Sequence, residues 1–198
     1  MNPRALRAGG PIILLVAAAV ALVGTLVVGG GANAQALQDP GAFVRWSLPA
    51  AKMLVNVAGS VMFGSLVLAL FALAPKERAF HAALDGASIS AAIFTIASGS
   101  VTFLTLLSTF NPQLSLGDEF GSQLGRFLTD TEVGRAWLLQ TILGGIVTVL
   151  AFAVRGWLTV AVTAVLAGVS LIPMATQSHS GGLEDHHLAV IATVARRG

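Results

Sequence analysis

The chain has 198 residues, of which 55% are hydrophobic and only 10% are charged. A soluble domain of this length could not bury so much apolar surface, so the composition excludes an ordinary soluble protein and indicates a multi-pass protein of the lipid bilayer. The formal net charge is +2, and the basic residues stand singly or in pairs between apolar runs, which excludes a nucleic-acid-binding patch. The lack of cysteine excludes disulfides, thiolate metal sites and thiol nucleophiles.

The first apolar run covers residues 11–29, close to the roughly 20 residues that a helix needs to cross a bilayer. Small residues at 32–36 fit a signal-peptide cleavage site, but the apolar core exceeds the about 7 to 15 residues usual for signal peptides. We therefore expect residues 1–29 to be retained as a first span or signal anchor. A cleaved signal peptide is the alternative.

A turn at Asp39-Pro40-Gly41 leads into the second predicted span. Trp46 favours the membrane interface, and Pro49 suits a first helical turn, so we expect this span over about residues 50–74. Small and polar residues recur there at every fourth position, which places them on one helical face and predicts a packing surface. These residues are Asn56, Ser60 and Gly64.

The third predicted span, over about residues 86–110, follows a short polar segment in which His81 is expected to be a surface histidine. Hydroxyl side chains share one face of this span, and we interpret that face as a second packing surface, with a water-lined groove as the alternative. Its members are Ser98, Thr102, Thr105 and Thr109.

Apolar and charged residues alternate with helical spacing between residues 111 and 133, which predicts a short amphipathic helix in the membrane interface or a lid. Thr129 and Glu132 have the spacing of a capping box, so we expect the fourth span to start there, with Trp137 as an interfacial anchor. A turn at Arg155-Gly156 then predicts an antiparallel hairpin with the fifth span, which runs to about residue 172.

The distribution of lysine and arginine predicts the orientation in the membrane. It places the amino terminus, residues 76–78 and Arg155 in the cytoplasm, and the segment 111–133 outside. Near the carboxyl end only residues 188–195 are apolar, and eight residues rise about 12 Å against a core of about 30 Å. We interpret them as the start of a truncated sixth helix.

These segments predict an all-α fold, a polytopic membrane helix bundle with five transmembrane helices, arranged as a single membrane domain over residues 1–198. In this scheme 30–176 is the helix bundle, and 177–198 is a histidine loop followed by the start of an incomplete helix.

Three of the four histidines gather near a methionine, outside the predicted spans: His179, His186 and His187, with Met174. Imidazole and thioether are soft donors that suit copper, whereas calcium and magnesium require oxygen ligands. Adjacent residues on a helix point about 100° apart, so only one of His186 and His187 can join His179 at one ion. We predict a Cu(I) site at the outer surface, with Met174 as a weaker ligand.

An alternative interpretation makes the same stretch a polar loop. Gly181-Gly182 would then form the turn, and Asp185 would cap the next helix.

Four short stretches of the sequence resemble the bacterial copper resistance D family, especially large membrane proteins in which such a region precedes a cytochrome oxidase assembly module. The resemblance implies copper handling across the cytoplasmic membrane, by import or resistance or by delivery to an oxidase. It implies a copper ion, a copper chaperone or a cytochrome oxidase as partners, and no enzymatic turnover. The stretches are Asp39-Pro40-Gly41 with Arg45-Trp46 and Pro49, Gly134-Arg135-Ala136-Trp137, His179-Ser180-Gly181-Gly182, and Asp185-His186-His187-Leu188-Ala189-Val190.

Two other classes of function are open. A haem-carrying electron-transfer bundle needs axial histidines that face one another across the helices, and the five predicted spans contain no histidine. A non-catalytic scaffold for the assembly of a respiratory complex is compatible with everything in the sequence.

Overall fold

The computed structural model describes residues 3–34, 39–110, 118–153 and 156–173. Within these residues the regular structure consists of six helices and contains no strand. The helices are α1 (Pro3–Val28), α2 (Ala42–Ala72), α3 (Arg78–Phe110), α4 (Asp118–Asp130), α5 (Glu132–Ala153) and α6 (Trp157–Ser170).

Four helical segments of the described part are long and apolar enough to cross a membrane: Gly9–Val28, α2, α3 and α5. The chain is therefore a multi-pass membrane helix bundle by length and composition, as predicted. The predicted fifth span corresponds to a shorter apolar helix, and the 14 residues of α6 rise about 21 Å against a hydrocarbon core of about 30 Å. The count of five spans is not confirmed.

Four helices form a closed ring, since α2 packs against α3, α3 against α5, α5 against α6, and α6 again against α2. Helix α4 packs against α5, outside this ring. Helix α1 makes its few contacts with α2 and is exposed along most of its length. The core consequently lies between α2, α3, α5 and α6.

Polar contacts fix the relative direction of α3 and α5. As residue numbers rise along α3, the numbers of their partners on α5 fall, so the two helices run antiparallel. The contacts join Ser88 Oγ to the carbonyl oxygen of Ala151 (2.8 Å), Thr95 Oγ1 to Thr148 Oγ1 (3.0 Å), and Gln140 Nε2 to Ser98 Oγ (3.2 Å). The predicted hydroxyl packing face of α3 is thus confirmed at Ser98, whereas Thr109 at its far end is exposed.

The predicted packing face of α2 is wrong. Asn56, Ser60 and Gly64 are exposed, and no atom lies within 4 Å of the position that a Cβ would take on Gly64. Asn56 Nδ2 donates to the Lys52 carbonyl (3.0 Å) and Ser60 Oγ to the Asn56 carbonyl (2.8 Å), so both groups donate within their own helix and not to a neighbouring one. The face that packs is Val55, Ala58, Gly59, Met62, Leu66 and Ala69.

Two details of the fourth span are also corrected. Thr131, not Thr129, caps α5, because its hydroxyl accepts a hydrogen bond from the Gly134 amide (2.9 Å) while Thr129 belongs to the last turn of α4. Trp137 is only 4% exposed and belongs to the core, so it is not an interfacial anchor. The amphipathic helix that was predicted before this span is present as α4, with Phe127 buried.

Candidate functional site

One end of the bundle carries the described parts of the sequence stretches singled out above. We name it the motif end: α2 and α5 begin there, and α3 and α6 end there. The connections 73–77 and 154–156 join helices that pack on each other, which makes those neighbours antiparallel. The motif end therefore carries Gly41, Phe110, Gly134 and Pro173.

The start of α2 is held by an ion pair at the motif end. The Arg45 guanidinium donates to both carboxylate oxygens of Asp39, and Arg45 Nε donates to the Ala32 carbonyl (3.1 Å). The Gly41 amide donates to Asp39 Oδ1 (3.1 Å), and Gly41 has a φ of 88°, which favours glycine at this turn. Arg45 thus ties the connection after α1 to the first turns of α2.

The same contacts set the charge of Asp39. The hydrogen bond from Arg45 lowers the pKa of the Asp39 carboxyl below its ordinary value. Partial burial acts in the opposite direction, and the Gly41 amide adds a smaller lowering effect. Asp39 and Arg45 are therefore both charged at neutral pH and neutralise each other, so they form a structural clamp.

The start of α5 is held by a close approach to α4. A Cβ placed on Gly134 would lie 1.9 Å from the Phe127 carbonyl oxygen, so only glycine fits between the two helices. Thr131 completes the joint, because its hydroxyl donates to the same carbonyl (2.7 Å). The Phe127 ring meets the Phe110 ring edge-on, with centroids 6.1 Å apart. Helix α4 is thus fixed to the ends of both α3 and α5.

Three buried side-chain oxygens of the described residues have no hydrogen-bond partner: Gln140 Oε1, Thr105 Oγ1 and Gln123 Oε1. Gln140 itself is fully buried, and its amide nitrogen is satisfied by Ser98. Oxygen atoms of this kind suit water or a hard cation better than Cu(I). They do not extend the predicted copper ligand set into the bundle.

The predicted metal ligands Met174, His179, His186 and His187 lie outside the described residues. Helix α6 leads to Pro173, which is buried at the motif end, and the stretch 174–187 follows Pro173 in the sequence. Within the described ranges, no group of three or more histidine, aspartate or glutamate side chains could hold a metal ion. His81 is exposed at the opposite end, where its ring meets Phe80 edge-on, and its predicted surface position is confirmed.

Sequence reasoning interpreted Asp39-Pro40-Gly41 only as a turn and missed its ion pair. The signal was the spacing, since an acid just before a Pro-Gly turn can reach a basic residue in the first helical turns after it. The role of Gly134 could not be read in the same way, because it depends on where α4 lies against α5.

A comparison with protein families finds a match between residues 37–186 and the family described as copper resistance protein D-like, N-terminal domain. The matched region begins just before Asp39 and includes Met174, His179 and His186, whereas His187 is the next residue after it. Neither the curated proteins nor the solved structures contain a significant match. Since the family match covers most of its length, the chain belongs to the copper resistance protein D-like N-terminal domain family.

Proposed function

We propose that this membrane bundle handles copper by binding Cu(I) at the motif end and passing it on without chemical turnover. The ligands are His179 and one of His186 and His187, with Met174 as a weaker third donor. Nitrogen and thioether donors of this kind suit Cu(I). The copper ion is the cargo in this scheme, and a copper chaperone or a cytochrome oxidase is the class of partner that exchanges it.

The observation that carries the proposal is the position of Pro173. It lies at the motif end, where the Asp39–Arg45 pair and the Gly134 joint fix the starts of α2 and α5. The residue that precedes the donor stretch therefore lies at the same end of the bundle as the other segments that share the family match. In the predicted orientation this end faces the outside of the cytoplasmic membrane.

A haem site has less support. Outside the stretch 179–187 the chain has one histidine, His81, and that residue is exposed at the end of the bundle opposite to Pro173. A bundle haem needs axial ligands that face each other across the helices. His81 is therefore a good reference residue for experiments on the other histidines.

Competition with a chromogenic Cu(I) chelator tests the proposal on the purified full chain. We expect His179→Ala to weaken Cu(I) binding by about tenfold or more, because loss of a direct ligand should exceed the about 10- to 100-fold effect of removing a supporting contact. His186→Ala and His187→Ala should differ from each other, since only one of them joins His179. The matched control, His81→Ala, should bind like the parent.

Equal affinities for the parent and all four variants would contradict the proposal. The stretch would then be a loop with a helix cap, and a scaffold role in the assembly of a respiratory complex would be favoured.

A further inference from the structure

The hydroxyl side chains on the packing face of α3 differ in where their hydrogen bonds go. Thr102 Oγ1 donates to the Ser98 carbonyl (2.9 Å) and Thr109 Oγ1 to the Thr105 carbonyl (2.8 Å), so both donate one turn back within α3. The Ser98 hydroxyl instead accepts from Gln140 Nε2 (3.2 Å). Thr105 Oγ1 is buried and has no hydrogen-bond partner within the described ranges. Two of the four hydroxyls therefore remain without an acceptor.

Gln140 of α5 brings an unpaired oxygen to the same interface. The residue is fully buried, and its Oε1 has no hydrogen-bond partner in the part of the chain that the structure describes. Turning the amide over would exchange its oxygen and nitrogen, but one of the two groups would still lack a partner. Since the Ser98 hydroxyl lacks an acceptor and Gln140 Oε1 lacks a donor, the pair requires one more group that both accepts and donates.

A third buried polar side chain lies at the same level of the bundle. Gln140 is 13 residues before the end of α5 at Ala153, and Ser170 is 13 residues after the start of α6 at Trp157. Because α5 and α6 form an antiparallel hairpin, Gln140 and Ser170 are level with each other. Ser170 is fully buried, and its hydroxyl donates to the Ala167 carbonyl (2.7 Å), so its oxygen retains lone pairs that can accept.

We propose that the motif-end half of the α3–α5 interface binds water, with one molecule between Ser98 and Gln140 and another at Thr105. The first water accepts from the Ser98 hydroxyl and donates to Gln140 Oε1, and Ser170 lies at the level where its hydroxyl oxygen can accept the second proton. Buried waters in proteins usually make about three such bonds. Thr105 lies seven residues, or about 10 Å, beyond Ser98 on the same face of α3.

A neutral ligand fits this interface better than a cation. The converging groups are one amide and hydroxyls, all uncharged. The acidic residues of α3 and α5 are Asp85 and Glu132, and each lies at least eight residues, or about 12 Å, along its helix from Ser98 or Gln140. Neutral oxygens alone do not offset the cost of moving a cation into a low-dielectric core. Water meets the requirement without that cost.

The opposite half of the same interface provides matched controls. Ser88 Oγ donates to a carbonyl of α5 (2.8 Å), and Thr95 Oγ1 contacts a hydroxyl of α5 (3.0 Å), so both bond to α5 directly. Ser88 is buried like Ser98, and Thr95 is half-buried like Thr105. Each half therefore offers one serine and one threonine that differ in hydrogen-bond partners and not in residue type or burial class.

Water-edited solid-state NMR of the full chain in lipid bilayers tests the proposal. Magnetisation that starts on water should reach the side-chain carbons of Ser98 and Thr105 at short mixing times, and it should not reach those of Ser88 and Thr95. Equal transfer within the serine pair or within the threonine pair would overturn the proposal. The measurement uses the parent protein in metal-free buffer, so its result does not depend on a variant that folds or on the copper function.

Removal of the Gln140 amide tests which group holds the inner water. Gln140→Met keeps a side chain of similar length, and it should abolish water transfer to Ser98 while transfer to Thr105 persists. The matched control, Leu139→Met, changes a neighbour that is 50% exposed and should alter neither signal. Transfer to Ser98 that persists in Gln140→Met would overturn the proposal. A shift of the Ser98 signals when N-methylglucamine replaces sodium and potassium would also overturn it, because the ligand would then be a cation.

Discussion

The Phe94 ring is held between two glycines that belong to different helices. A Cβ placed on Gly59 of α2 would lie 3.2 Å from the ring, and one placed on Gly144 of α5 would lie 3.0 Å from it. Phe94 is fully buried, so an added methyl group on either glycine would press on the ring within the core. This contact joins α2, α3 and α5 at the centre of the core.

Replacement of Gly144 by alanine should therefore destabilise the bundle. The new methyl group would approach Thr95 Oγ1 to 2.9 Å and the Phe94 ring from the side opposite Gly59. We expect a loss of about 1–3 kcal/mol of stability, seen as a lower Tm of the purified protein in detergent. The control, Gly64→Ala, adds a methyl group in open space and should be neutral or stabilising by up to about 1 kcal/mol.

A Gly144→Ala protein as stable as its parent would show that the Phe94 contact is not rigid.

The position of Gly59 also explains why the sequence misassigned the packing face of α2. Spacing places Asn56, Ser60 and Gly64 on a common face, but it cannot say whether that face or the one containing Gly59 meets another helix. The choice depends on Phe94 and Leu171, which are distant in the sequence.

At the level of whole elements, α4 and α5 act as one bent unit. The bend is at Thr131, between the end of α4 at Asp130 and the start of α5 at Glu132. Gly134 permits the backbone of α5 to touch the Phe127 carbonyl, and Phe127 in turn contacts Phe110. The amphipathic helix could be predicted from its periodicity, whereas its rigid attachment to α5 could not, because that rests on one backbone contact.

The substitution Gly134→Ala should detach α4 from α5. Its Cβ would lie 1.9 Å from a backbone oxygen, so the helices must separate. A local loss of about 1.4 kcal/mol or more should raise tryptic cleavage after the exposed Arg126 by about tenfold, because cleavage follows the open population. Gly121→Ala, which meets no atom within 4 Å, is the control. Equal tryptic cleavage of both variants and the parent would show that the Gly134 contact does not hold α4 against α5.

Helix α1 stands apart from this unit and from the ring. Its few contacts are with α2, and the family match begins at residue 37, after α1 has ended. Between α1 and α2 lies an apolar groove of about 620 Å³, lined in part by Leu22, Phe43 and Trp46. The existence of α1 was predicted correctly from its apolar run. The loose packing of α1 against α2 could not be predicted, because an apolar helix surface can face either lipid or another helix.

At the scale of the whole molecule, the ring topology explains why short and widely separated stretches belong together. Antiparallel packing brings the starts of α2 and α5 and the end of α6 to the motif end, although about 95 residues separate Asp39 from Gly134 in the sequence. Run length and helical periodicity could predict the four long apolar helices. The side of the membrane on which each connection lies stays a prediction from the basic residues. The assignment of copper ligands stays a prediction, because those residues lie beyond Pro173, outside the described part of the chain.

The arrangement of the ends predicts a labelling pattern for single cysteines in intact cells. Ala79 lies in the first turn of α3 at the end opposite to the motif end, whereas Glu119 lies on α4 at the motif end, and both are exposed. With the amino terminus in the cytoplasm, Ala79→Cys should resist an impermeant maleimide, and Glu119→Cys should react. Permeabilised cells provide the control, because both cysteines should then be labelled.

A third cysteine, Ser180→Cys, decides whether α6 completes a crossing. If α6 and the residues up to Pro173 cross the membrane, Ser180 lies on the same side as Glu119 and reacts with it. If α6 is too short to cross, Ser180 lies on the side of Ala79 and is protected. Labelling of Ala79 with protection of Glu119 would instead mean that the orientation is inverted, and the proposed copper ligands would then face the cytoplasm.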